Sequence, residues 1–172
     1  KDKYGIEEED FISADLEIVP AGKAKHYGLD SSMIMGYGQD DRVCAYTSLK
    51  AILDAPAPSK TACCLLVDKE EIGSVGATGM ESRFFENVVA EVMNLVGEYN
   101  ELDLRRALAN SRMLGKVDQG GGGTIAYIAA AYNMEVIDSG VAVMNMHAPW
   151  EISCKADIYE AYLGYKAFLK DA

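Results

Sequence analysis

Apolar residues follow two different periods along this chain, and those periods predict where strands and helices lie. Phe11, Ala14, Leu16 and Ile18 interleave with Ser13, Asp15 and Glu17, which predicts a strand over 11–19. Pro20, Gly22 and Gly28 then mark a turn-rich stretch. Val43, Tyr46, Leu49, Ala51, Ile52 and Leu53 give a helical stripe over 42–53, stopped by Ala55-Pro56-Ala57-Pro58-Ser59. The run TACCLLV at 61–67 is continuously apolar and ends abruptly in charge, which predicts a central strand buried on both faces. Phe84, Phe85, Val88, Val89, Val92, Met93 and Val96 predict a helix over 81–97, and a short one follows over 102–109. The four glycines at 120–123 form a loop, and Thr124 is placed to cap an alanine-rich helix reaching Tyr132. Two apolar strand segments, 135–137 and 141–146, are separated by Asp138-Ser139-Gly140. A last helix starts at Ser153 or Asp157, with Ile158, Tyr162, Tyr165, Phe168 and Leu169 on one side. Strands alternating with helices predict an α/β sheet covered on both faces.

Length and composition narrow this picture. With 172 residues, 49% of them hydrophobic, the chain can bury one sizeable core. A net charge of -11 and a pI near 4.6 argue against binding nucleic acid or an anionic membrane through a basic surface. No run approaches the roughly 20 apolar residues of a membrane span. Cys44, Cys63, Cys64 and Cys154 have neither disulfide-framework nor zinc-finger spacing, and free buried thiols in the reducing cytoplasm are the expectation. No secretory signal is present, and the absence of an initial Met suggests that the true beginning is missing.

Sites in open α/β sheets collect at the carboxyl ends of strands. Three polar clusters fall at such places: Gln39-Asp40-Asp41-Arg42 before a helix, Asp68-Lys69-Glu70-Glu71 after TACCLLV, and His147 after VAVMNM. Each has a plainer alternative. Asp40 and Asp41 could cap the next helix, the charged run could be a solvated turn, and His147 could be an ordinary hydrogen-bonded histidine. Together they can instead converge on one metal site. The adjacent glutamates then divide the work, one carboxylate binding metal and its neighbour handling the proton of an activated water.

The segments GYGQDDRVCAYTSL, LLVDKEEIGSVGATGMESRFFE, GKVDQGGGGTIA and VMNMHAPWEI resemble, in this order, four blocks of the aspartyl-aminopeptidase family of metallopeptidases. FISADLEIVPAGKA resembles the stretch preceding the first block, so the likeness covers nearly the whole chain. The resemblance implies a three-layer α/β/α zinc-exopeptidase-like sandwich with a mixed central sheet. It implies a catalytic domain over 21–172 and the end of an inserted lid or dimerisation domain over 1–20. It further implies a peptide substrate, two divalent metal ions (zinc first, cobalt or manganese tolerated) and a large homo-oligomer, typically a dodecamer. By the same resemblance Asp40 bridges the metals, Glu71 and His147 are terminal ligands of one metal each, and Glu70 is the general base. Asp41 and Arg42 would support the bridge. Gly122, Gly123 and Thr124 would lie near bound substrate, where glycine lets backbone amides come close; a merely flexible loop is the alternative.

The chain also departs from the family's pattern. An upstream His ligand and a second Asp ligand find no counterpart: Ala109-Asn110-Ser111-Arg112-Met113-Leu114 runs straight into Gly115-Lys116-Val117-Asp118. Omission of segments before Lys1 and near Leu114–Gly115 is one explanation; a truly short chain that binds metal poorly is the other. The competing functions are therefore a truncated, inactive peptidase-fold subunit or interaction module, and a related amidohydrolase or deacylase.

Overall fold

The computed structural model describes residues 2–14, 16–67, 75–115 and 125–171. Four short strands form an antiparallel sheet in the order β1-β2-β6-β5: β1 (Lys25–Tyr27), β2 (Met33–Gly36), β5 (Val143–Met144) and β6 (Glu151–Cys154). The register sets Gly36 opposite Glu151 and Val143 opposite Ser153. A second sheet pairs β3 (Arg112–Gly115) and β4 (Glu135–Asp138) in parallel. The α/β class is borne out, and parallel and antiparallel pairings both occur, in two sheets.

The helices follow the predicted stripes closely. They are α1 (Gln39–Asp54), α2 (Phe84–Leu95), α3 (Glu101–Ala109), α4 (Ile125–Ala130) and α5 (Lys155–Asp171). Helices α1 and α5 pack on each other and both touch β6. Val43, Cys44 and Val141 are buried there, with Ile158 and Ala161 of α5 against them. A second core forms beside the parallel pair, where Leu104 and Leu108 of α3 meet Ala129 and Met134. Phe85, Val89 and Met93 of α2 pack onto it at i, i+4 spacing. Asn100 starts α3 by accepting the Asp103 amide at 2.9 Å. Among the described residues no helix is long and apolar enough to cross a membrane.

Two strand expectations are corrected. The stretch predicted over 11–19 contains no strand among its described residues; a 3-10 turn, Glu8–Phe11, precedes irregular chain. Alternation makes a strand only where a sheet covers the apolar face, and here Ile12, Leu16 and Ile18 remain exposed. The TACCLLV segment is likewise not in a ladder and not buried on both faces. It runs along the wall of a cavity of about 700 Å³ that also borders Met113 and Tyr165. Of the cysteines, all free, Cys44 is buried as expected, whereas Cys63 is exposed and so is not core.

Candidate metal centre

The polar sequence between β2 and α1 determines how Asp40 is presented. Gly38 occupies the left-handed region (φ 65°) at the helix start, and Asp40 and Asp41 are still non-helical, so the regular helix begins after them. The Asp40 carboxylate is therefore set by this turn, ahead of the regular helix. Its side chain is only 1% exposed. The guanidinium of Arg42 lies 5.6 Å from the centre of the Tyr37 ring, beside this turn.

His147 comes from the loop between β5 and β6. The loop is tightly wound: Asn145 and His147 both have positive φ, 60° and 65°. The Asn145 side-chain amide donates to the Trp150 carbonyl at 2.8 Å, and the Ala148 amide donates to the Asn145 carbonyl at 3.1 Å. Gly22 lies close under the Trp150 ring: a Cβ built there would sit 2.2 Å from Cη2.

The structure brings Asp40 and His147 together across 107 positions of sequence, with His147 Nε2 3.0 Å from Asp40 Oδ2. The imidazole is about half exposed and the carboxylate buried, so the pair opens to solvent on the histidine side. A hard carboxylate and a borderline imidazole suit zinc, cobalt or manganese. Two ligands of one tetrahedral zinc stand about 3.4 Å apart. The pair thus needs to open by only a few tenths of an ångström to hold an ion, and the residues fit the implied metal. Among the described residues no group of three potential ligands clusters. Glu70 and Glu71, and Gly122, Gly123 and Thr124 of the glycine loop, lie outside the described residues.

Beside the pair, the cavity is walled by Asp40, Asp41, Cys44, Leu65, Val67 and Gly115, among others. Burial pushes the Cys44 thiol up to about 11, with the Asp41 charge adding to it. Burial also pushes the Tyr165 hydroxyl up, reinforced by Cys44.

Two further residues complete the arrangement: Gln39, named in the first polar cluster without a role, and Glu151, which was not singled out. Gln39 Nε2 donates to the carbonyls of Ile34 and Glu151, at 2.8 and 2.7 Å, tying β2 to the start of β6. Glu151 accepts the Asp40 amide at 3.0 Å and the His147 amide at 2.7 Å. Glu151 follows Trp150 in the VMNMHAPWEI block; a carboxylate leading into an apolar strand was the available signal.

Comparison with known proteins agrees with the resemblance seen in the segments. The family described as "Aminopeptidase I zinc metalloprotease (M18)" matches residues 1–118 and 110–169. A protein of Clostridium acetobutylicum named "Probable M18 family aminopeptidase 1" is 49% identical over 239 residues, covering 99% of this chain and 51% of that protein. The crystal structure of aminopeptidase I from Clostridium acetobutylicum superposes with a TM-score of 0.83 at 47% identity, over 99% of this chain and 51% of that one. That of aminopeptidase I from Borrelia burgdorferi B31 gives 0.80 at 38% identity, over 99% and 52%. The chain spans about half the length of the curated relatives it matches. The Clostridium alignment runs over 239 residues against the 172 present here, so that relative carries residues within the matched stretch that this chain lacks.

Proposed function

We propose that this chain, which belongs to the aminopeptidase I zinc metalloprotease (M18) family, is the metal-binding part of an aminopeptidase that removes N-terminal residues from peptides. The observation that carries the reading is the 3.0 Å meeting of the Asp40 carboxylate with the His147 imidazole, from loops 107 residues apart. Asp40 would bridge two ions, and His147 and Glu71 would each hold one. Bound zinc would acidify a water and polarise the scissile carbonyl. Glu70 would act as the general base, taking up a proton from the attacking water and returning it to the departing amine nitrogen. Val67, directly before the charged run, borders the same cavity as Asp40, which supports bringing Glu70 and Glu71 to the pair. Gly115 and Ile125, flanking the glycine loop, border it too, in support of Gly122, Gly123 and Thr124 near the substrate.

The finer parts of the proposal follow the family resemblance: two ions, an acidic or neutral N-terminal residue, a dodecamer, a cytoplasmic location, and residues 1–20 as the end of an inserted domain. The test is hydrolysis of free amino-acid anilides against N-acylated ones, with zinc, cobalt or manganese added. Hydrolysis confined to the acylated substrates makes the chain a deacylase. In Glu70→Gln, turnover should vanish while metal stays bound; full activity in that variant removes Glu70 from its role.

A second reading, a catalytically silent subunit, is favoured by the stretch that the Clostridium relative carries and this chain lacks. Elemental analysis of zinc after dialysis separates the two, since the silent subunit would retain little metal.

A further inference from the structure

Glu151 opens β6 and is among the most buried side chains of the molecule, 2% exposed. Its two oxygens serve two distant places. Oε2 accepts the backbone N–H of Asp40 at 3.0 Å, and Oε1 accepts that of His147 at 2.7 Å. These amides belong to the two residues whose side chains meet at 3.0 Å. The Glu151 carbonyl also receives Gln39 Nε2, so the residue grips the β2–α1 turn from side chain and main chain alike. His147, a non-glycine residue in the left-handed region, donates its N–H to this carboxylate.

The chemistry of this double grip is specific to a carboxylate. Both partners are donors, so both side-chain oxygens must accept. Glutamine offers one acceptor and one donor, and its NH2 would face one of the two N–H groups. Aspartate is one methylene too short to reach both. An apolar residue leaves both part-buried amides without this acceptor. Resting on the reading of Asp40 and His147 as metal ligands, we infer that Glu151 is a positioning residue that sets the separation of the two ligands through their backbone amides. It binds neither metal nor substrate.

The test uses the full chain in two arms. In the metal-free protein, hydrogen exchange followed by NMR should find the Asp40 and His147 amides protected, with protection lost at one or both in Glu151→Gln. Zinc titration should then show binding weaker by about 10–100-fold in that variant, the range typical when a partner that orients metal ligands is replaced. Leu104→Ala, buried in the other core, lowers the melting temperature without changing zinc affinity, and so separates positioning from general destabilisation. Unprotected amides in the wild type, unchanged protection in Glu151→Gln, or an equal loss of zinc affinity in Leu104→Ala each overturn the inference. If Glu151→Gln does not fold, Glu151→Asp must lose protection at one amide at least, and full protection at both overturns it. A wild type that binds no zinc sinks the metal-site reading instead, and the exchange arm still decides whether Glu151 holds the two amides.

Discussion

Cys44 gives the core between α1 and α5 a measurable pH signature. It lies on α1 one turn beyond Asp40, 5% exposed, and burial followed by the Asp41 charge lifts its thiol from 9.0 to about 11. A raised folded value means that the native state favours the neutral thiol. The resulting stability is fully present below pH 9 and is lost as pH rises toward 11. The full difference corresponds to about 2.7 kcal/mol. The loss is about 0.4 kcal/mol at pH 9 and about 1.4 kcal/mol at pH 10 by the same linkage. Urea unfolding of wild type and Cys44→Ala, at neutral pH, pH 9 and pH 10, isolates the thiol, because the packing difference between them does not titrate. The stability advantage of wild type should shrink by that amount. Staying at or below pH 10 keeps the neighbouring Tyr165 hydroxyl, itself pushed up by burial and Cys44, out of the comparison. Alkylation gives a second readout: at pH 9 the exposed Cys63 should react far faster than Cys44. A stability difference that stays flat up to pH 10 refutes the reasoning, as does equal labelling of the two thiols.

Three further outcomes are expected. Asp40→Ala should retain the fold and lose zinc, measured by elemental analysis after dialysis, because it removes the buried carboxylate of the pair. Gly22→Ala should cost about 1–3 kcal/mol by overpacking, since its Cβ would lie 2.2 Å from the Trp150 ring; Trp150 is the single tryptophan, so its emission reports the displacement directly. Asn100→Ala should cost about 1 kcal/mol in urea unfolding through loss of the cap on α3, with zinc affinity unchanged.

What the sequence revealed depended on how local the signal was. Helices α1, α2, α3 and α5 were legible because each repeats apolar residues over several turns before reaching a stop. Strands β1, β2 and β3 were not, because three or four residues cannot display a period, and all three residues of β1 are exposed. Strand β6 was hidden for another reason: its buried positions are Glu151 and Ser153, so its inward face reads as polar. The alternation at 11–19 and the apolar run at 61–67 show the reverse failure, in which a strand-like pattern finds no ladder to join. The resemblance set Asp40 and His147 in one site and the fold brings their side chains together, whereas Glu151 meets backbone amides, and which amides it meets is a property of the fold. The apolar residues that predict α2 divide in the fold: Phe85, Val89 and Met93 are packed, while Phe84, Val88 and Val92 stay exposed.

That uneven packing bears on how much of the centre this chain can build. The two stretches matched to the family meet over residues 110–118, at strand β3. The open cavity borders β3 and the unpaired 61–67 segment, and the α2 stripe packs on the same core as β3 and β4. Asp40, His147, Gln39 and Glu151 draw on other elements, namely β2, the start of α1, the β5–β6 loop and β6. All of these are tied by the antiparallel ladder and its side-chain bonds. The hydrogen bonds described around the Asp40–His147 pair thus draw on β6 and the turns beside it, not on β3, where the two family matches overlap.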